Sequence, residues 1–168
     1  PSESIIEPSF IELFNRAPGR VFIAIFSTNI NRIQMVINAA VHHGRKIALD
    51  GRSMMSTLEM AVRNGFVKVP KGTFIPIASA NNLPDEKVVV ICTGSQGETN
   101  SALMRMSTGD HKHIKLKPRD TVILSSTPIP ESGNDAMIGD MVDDLMRKGV
   151  HIFQHATHEL DNIGPLHV

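Results

Sequence analysis

Four apolar runs in this chain end in the same kind of tail. Residues 21–26 (VFIAIF) pass into Ser27-Thr28-Asn29, and residues 46–49 (KIAL) into Asp50-Gly51-Arg52-Ser53. Residues 88–92 (VVVIC) pass into Thr93-Gly94-Ser95-Gln96-Gly97-Glu98, and residues 121–124 (TVIL) into Ser125-Ser126-Thr127. Each run has the length and β-branched content of a buried strand. Three of the four are followed by a helical pattern. Strands of a parallel sheet, covered on both faces, read as unbroken apolar runs. The runs are therefore expected side by side in one parallel sheet, with their carboxyl ends along one edge. Open α/β sheets bind ligands at that edge. Hydroxyls, backbone N–H groups and helix N-termini gathered there suit a phosphate or a nucleic-acid backbone.

The segments between the runs supply the helices. An apolar face recurs over residues 8–17, 30–43, 54–64, 100–106 and 135–148, and Gly44, Gly65 and Gly149 stand where three of these should stop. Ser53 is the expected N-cap of the third helix, and Ser132 or Asn134 that of the last. Residues 150–153 (VHIF) give a fifth strand. The alternation in residues 111–118 (HKHIKLKP) reads as a half-exposed edge strand ended by its proline. Residues 66–84, broken by Pro70, Gly72, Pro76 and Pro84, read as a connecting excursion. Strand and helix alternate throughout. The expected fold is a three-layer α/β domain with a mostly parallel sheet of about five strands flanked by helices.

Composition narrows the function classes. The 168 residues carry 17 basic and 17 acidic side chains, so the formal net charge is zero. That excludes a strongly basic nucleic-acid module, though not local clusters. With no Trp, no Tyr and seven Phe, there is little on which to stack bases, and any nucleic acid would be held mostly by its backbone. No apolar run approaches the length of a membrane span. The single cysteine, Cys92, cannot form an intramolecular disulfide; inside a strand-like run it reads as a small buried apolar residue. One cysteine fits a reducing cytoplasm. The nine Met fall mainly on the apolar faces of the helices and read as core filling.

Candidate chemistry concentrates at the strand ends. Arg52 stands at a strand end and a helix start, where its guanidinium can fork onto a phosphate; the competing reading is a salt bridge to Glu59 or Asp50. Arg32, just after Asn29, has a similar place. Glu98 could pair with either arginine. Ser95, Gly97 and nearby N–H groups could form an anion-binding nest, although the loop lacks the Gly-Lys-Ser/Thr of a phosphate loop and the G-x-G-x-x-G of a dinucleotide fold. The candidate RNA- or phosphate-binding residues are Ser27, Asn29, Arg32, Arg52, Ser53, Ser95 and Gly97. Eight His invite a metal reading, but His111-Lys112-His113 is followed by Ile114, Lys115 and Leu116 rather than by further ligands. His151, His155 and His158 have helix-like spacing, but His151 falls in a predicted strand. No set has the donors that zinc requires, so no metal is expected.

Taken in order, these motifs resemble the β-CASP domain of ribonuclease J, within the metallo-β-lactamase-fold nucleases. The resemblance runs from Pro1-Ser2-Glu3-Ser4 through Thr28-Asn29-Ile30-Asn31-Arg32-Ile33, Gly51-Arg52-Ser53-Met54 and Thr93-Gly94-Ser95-Gln96-Gly97-Glu98 to Ser125-Ser126-Thr127-Pro128-Ile129-Pro130. The chain departs from the family's usual pattern at Asn31, at Thr99-Asn100 and in the stretch 131–135. The resemblance implies a single β-CASP domain over 1–168, cut from a longer nuclease. In that parent two zinc ions activate water against an RNA phosphodiester, and the enzyme degrades RNA from the 5′ end and internally in the cytoplasm. It implies RNA and the metallo-β-lactamase domain of the same polypeptide as partners, no membrane, and no cofactor in this piece, and it leaves homo-oligomerisation of the parent open. The fragment alone is expected to be inactive. Two other readings stand beside it: a free-standing α/β nucleotide- or phosphate-binding domain, and a structural dimerisation module.

Overall fold

A computed structural model describes residues 6–125 and 135–154. Six strands form one sheet in the order β3-β2-β4-β1-β5-β6, and every pairing is parallel. The strands are β1 (Val21–Ala24), β2 (Lys46–Asp50), β3 (Phe74–Ile75), β4 (Val88–Cys92), β5 (Thr121–Leu124) and β6 (His151–Gln154). The helices are α1 (Ile6–Arg16), α2 (Ile30–His42), α3 (Arg52–Arg63), α4 (Ala102–Thr108) and α5 (Asp135–Arg147). This is the expected three-layer α/β arrangement, with one strand more than the apolar runs announce.

The two-residue period of the strands divides the core. Val21, Ile23, Ile47, Val89, Ile91 and Ile123 face α1, α2 and α3 on one side of the sheet. Phe22, Ala24, Ala48, Val90, Cys92, Val122 and Leu124 face α4 and α5 on the other. Side chains on successive strand residues point to opposite faces, so an unbroken apolar run fills both cores at once. Met54, Met106 and Met141 lie in these cores, whereas Met55 and Met60 are exposed.

Several local expectations are corrected. Residues 111–118 form no strand. The ring of His111 accepts the N–H groups of His113 and Ile114, and the side chains of Asn81 and Arg20 donate to the carbonyls of His113 and Lys115. Side chains thus supply partners that a neighbouring strand would otherwise have to supply. Ser53 is not the cap of α3. The helix begins two residues earlier than expected, at Arg52, with Gly51 in the cap position at φ 108°. A Cβ at Gly51 would lie 2.7 Å from Thr93 Oγ1, so both backbone angle and space select glycine there. The short helix expected over 100–106 is capped by Ser101, whose side chain accepts the Met104 N–H. The excursion over 66–84 contains β3 and a 3-10 segment, Ile77–Asn82. The expected caps Ser132 and Asn134, the run 126–130, and His155 and His158 lie outside the described residues.

Two buried arginines pin the amino-terminal edge of the sheet. Arg45 donates to the carbonyls of Gly19 (2.8 Å), Val88 (3.2 Å) and Phe14 (3.2 Å). Burial lowers its pKa, while the carboxylate of Glu86 pulls the other way. Arg20 pairs with Asp120 just before β1 and β5.

Candidate nucleic-acid interface

The opposite, carboxyl-terminal edge is cut by an open cleft of about 740 Å³. Its walls come from three strand ends: Ser27 after β1, Gly51, Arg52 and Ser53 after β2, and Thr93 and Gly94 after β4. Residues 98–102 and Arg105 on α4 close the far side. Thr93 ties that side down. Its Oγ1 accepts the Ala102 N–H at 3.2 Å and its carbonyl accepts the Leu103 N–H at 3.1 Å.

Of the seven residues proposed from sequence, the cleft brings together Ser27, Arg52 and Ser53. Arg52 is exposed and makes neither of the salt bridges considered for it. Glu59 is taken by Arg63 at 2.9 Å, and Asp50 by His111. Arg52 also opens α3, whose cap Gly51 offers no side-chain acceptor. The guanidinium and the half-positive end of the helix dipole therefore stand together.

The other four candidates are spent differently. The Asn29 side chain caps α2, accepting the Arg32 N–H at 3.2 Å. Arg32 Nη1 donates to the Ser125 carbonyl at 2.5 Å, tying the end of β5 to the start of α2. Ser95 and Gly97 are buried beneath the edge and do not line the cleft. Within their loop the Gly97 N–H goes to the Gly94 carbonyl and the Gln96 N–H to Glu98 Oε2. Two of the N–H groups an anion nest would use are thus already engaged. Gly97, at φ 70°, lies so close to α5 that a Cβ would approach Ile138 N to 3.0 Å. Glu98 lines the cleft and pairs with neither arginine.

Sequence reasoning passed over Arg105, on the far wall. The available signal was its place one turn into the helix that follows the Thr93–Ser101 loop. Its Nε is buried without a hydrogen-bond partner. The other buried side-chain atoms lacking a partner among the described residues are Arg32 Nε, Ser95 Oγ and Ser125 Oγ. All four belong to this carboxyl-terminal edge. Chemically the cleft offers two guanidinium groups, a row of hydroxyls and a helix start: hydrogen-bond donors and positive charge for an extended anion. Among the described residues, no three His, Cys, Asp or Glu side chains converge as a metal site needs. No described helix is long and apolar enough to cross a membrane.

Comparison with known proteins agrees with this architecture. The family described as "Ribonuclease J, beta-CASP domain" matches residues 18–145. Ribonuclease J of Helicobacter pylori strain J99 is 43% identical over 163 residues, which cover 97% of this chain and 23% of that protein. Ribonuclease J 1 of Streptococcus pyogenes serotype M3 is 39% identical over 163 residues, 97% of this chain and 29% of that protein. Ribonuclease J of Synechocystis is 36% identical over 169 residues, 95% of this chain and 26% of that protein. The chain therefore spans less than a third of the length of each of these curated relatives. A family match across most of the chain, on a six-stranded parallel sheet with helices on both faces, shows that this chain belongs to the β-CASP domain family of ribonuclease J.

Proposed function

We propose that this chain forms one wall of the RNA channel of a ribonuclease J-type nuclease, and that the cleft at the strand ends holds the RNA by its phosphates. The observation that carries this reading is the placement of Arg52 and Arg105 in one open cleft at the edge where α/β sheets bind ligands. The orphaned polar atoms at the same edge support it. Each buried unpaired group costs about 1–3 kcal/mol, and such costs gather where function rather than stability shapes the structure.

On this reading the chain binds and orients RNA, and the bond-breaking chemistry belongs to a metallo-β-lactamase domain of the same polypeptide. The parent enzyme uses zinc, acts on RNA from the 5′ end and internally, and works in cytoplasmic RNA processing and decay. This chain alone cleaves nothing. The two arginines supply positive charge and forked donors to phosphate oxygens. Hydroxyls of Ser27, Ser53 and Ser101 are spaced along the cleft for the sugar–phosphate chain.

The test is binding of a fluorescent oligouridylate followed by anisotropy across a salt series. Arg52→Ala and Arg105→Ala should each weaken binding about tenfold. Each should also flatten the plot of log affinity against log salt by about 0.7, the share of one phosphate contact on a single strand. Unchanged affinity and slope in both variants would remove the cleft from RNA binding. Mononucleotides binding as tightly as the oligomer would favour the free-standing nucleotide-binding alternative.

A further inference from the structure

His111 joins the two arginine-bearing elements of the cleft from beneath. Its backbone N–H donates to the Arg105 carbonyl at 3.1 Å, at the end of α4. Its ring Nε2 meets Asp50 Oδ2, at the end of β2. The other carboxylate oxygen of Asp50 accepts the Gly51 N–H at 3.0 Å, and Arg52 follows directly. The ring's state is fixed by its far side. Nδ1 accepts the N–H groups of Ile114 at 2.9 Å and His113 at 3.1 Å. An acceptor nitrogen carries no proton, so the proton of the neutral ring sits on Nε2 and points at Asp50. His111 is only 6% exposed, so it does not reach a ligand in the cleft.

We propose that His111 is a positioning residue that sets the spacing of the Arg52 and Arg105 guanidinium groups across the cleft. It acts through Asp50 and the Gly51 turn on one side and through the end of α4 on the other. The inference rests on the reading that the cleft takes RNA phosphates. It adds a residue far along the chain whose side chain touches no RNA and yet controls how well RNA fits. Two donors on a fixed spacing match two phosphate oxygens without first losing conformational freedom. Without the strut, the Gly51 turn keeps its unusual backbone angle but loses one of the contacts that hold it.

The experiment compares substitutions that cut the strut at different points, using the same labelled oligouridylate and salt series, with thermal melts as a check on folding. His111→Asn keeps an acceptor for the Ile114 N–H but is too short to reach Asp50. Asp50→Asn keeps its size but can no longer accept at both oxygens. Both should weaken binding about tenfold and flatten the salt slope by about 0.7, as Arg52→Ala does. His111→Gln, whose amide N–H reaches Asp50, should restore affinity to within about twofold. In the Arg52→Ala background, His111→Asn should add little, because the arginine it positions is gone. If Arg52→Ala weakens binding while His111→Asn and Asp50→Asn do not, the positioning role is wrong and the cleft reading stands. Full additivity of His111→Asn with Arg52→Ala also overturns the positioning role. If Arg52→Ala and Arg105→Ala are themselves silent, the cleft reading fails and takes this inference with it. Should His111→Asn prove unfolded, Asp50→Asn and His111→Gln decide the question alone.

Discussion

Arg20 and Asp120 meet in a two-point ion pair across the amino-terminal edge of the sheet. Nε reaches Oδ1 at 2.9 Å and Nη2 reaches Oδ2 at 2.6 Å, with both side chains almost wholly buried. The pair is fully dressed. Arg20 Nη2 also donates to the Lys115 carbonyl at 2.8 Å, Asp120 Oδ2 accepts the Lys117 N–H at 2.9 Å, and the guanidinium carbon lies 5.1 Å from the centre of the Phe22 ring. Removing one partner strands a buried charge. Arg20→Ala or Asp120→Ala should therefore cost about 3–5 kcal/mol in urea unfolding. The apolar pair Arg20→Met with Asp120→Leu should cost clearly less than the sum of the single changes. Additive losses would show that the two residues act independently.

Cys92 should make the domain lose stability in mild alkali. Its thiol is wholly buried and donates weakly to the Ile23 carbonyl at 3.6 Å. Burial pushes its pKa up, and the carboxylates of Asp50 and Glu98 push it further the same way. An unfolded thiol ionises near pH 8.5 while the folded one keeps its proton. The stability is thus fully present below about pH 8.5 and falls above it by about 1.4 kcal/mol per pH unit. The chain has no Tyr, so little else titrates before the lysines. Unfolding curves between about pH 8 and 10 should show this slope, and Cys92→Ala should flatten it. A slope that survives Cys92→Ala would place its origin elsewhere. The native thiol should also resist alkylating reagents until the chain unfolds.

Gly51→Ala should damage stability and binding together. A side chain there meets a positive φ and lies 2.7 Å from Thr93 Oγ1. We expect a loss of about 1–3 kcal/mol and weakened RNA binding at temperatures where the variant is still folded. Normal binding in a destabilised variant would separate the Gly51 turn from the cleft's function.

Asn29 and Ser27 should part company when each is changed to alanine. Asn29 caps α2 through its bond to the Arg32 N–H, so its loss should cost about 1 kcal/mol in stability and leave the salt slope of RNA binding unchanged. Ser27 lines the cleft; its loss should leave the melting temperature nearly unchanged and weaken RNA binding a few-fold. The reverse pattern would exchange their roles.

How much of this was legible in the sequence follows from how local each cause is. The strands β1, β2, β4 and β5 were readable because a strand buried on both faces needs an unbroken apolar run. The two-residue β3 was not, since Phe74-Ile75 ahead of Pro76 is too short for any period to appear. Residues 111–118 alternate like a strand, yet their backbone groups are satisfied by His111, Arg20 and Asn81, and no neighbouring strand is needed. At the candidate interface, Arg52 was found because strand end and helix start adjoin it in sequence. The same local logic pointed to Ser95 and Gly97, which are buried, Gly97 against α5, and it gave no hint of Arg105 or of the bond between Asp50 and His111. Contacts between residues far apart in the chain leave no local pattern.

The parallel sheet also sets the order in which the chain can acquire its shape as it is made. The central strand β1 finds its neighbours only late: Val21 pairs with Val89 on one side and with Thr121 on the other. As the chain leaves the ribosome, the strand that will lie deepest waits longest for company, with α1, α2 and α3 able to shelter one of its faces meanwhile. Topologies dominated by such distant pairings fold slowly and expose apolar surface on the way. The close docking of α1 on α2, both made before β4 and β5, gives the nascent chain an early apolar shelter for Phe10, Phe14 and Val36 while β1 waits for its second neighbour.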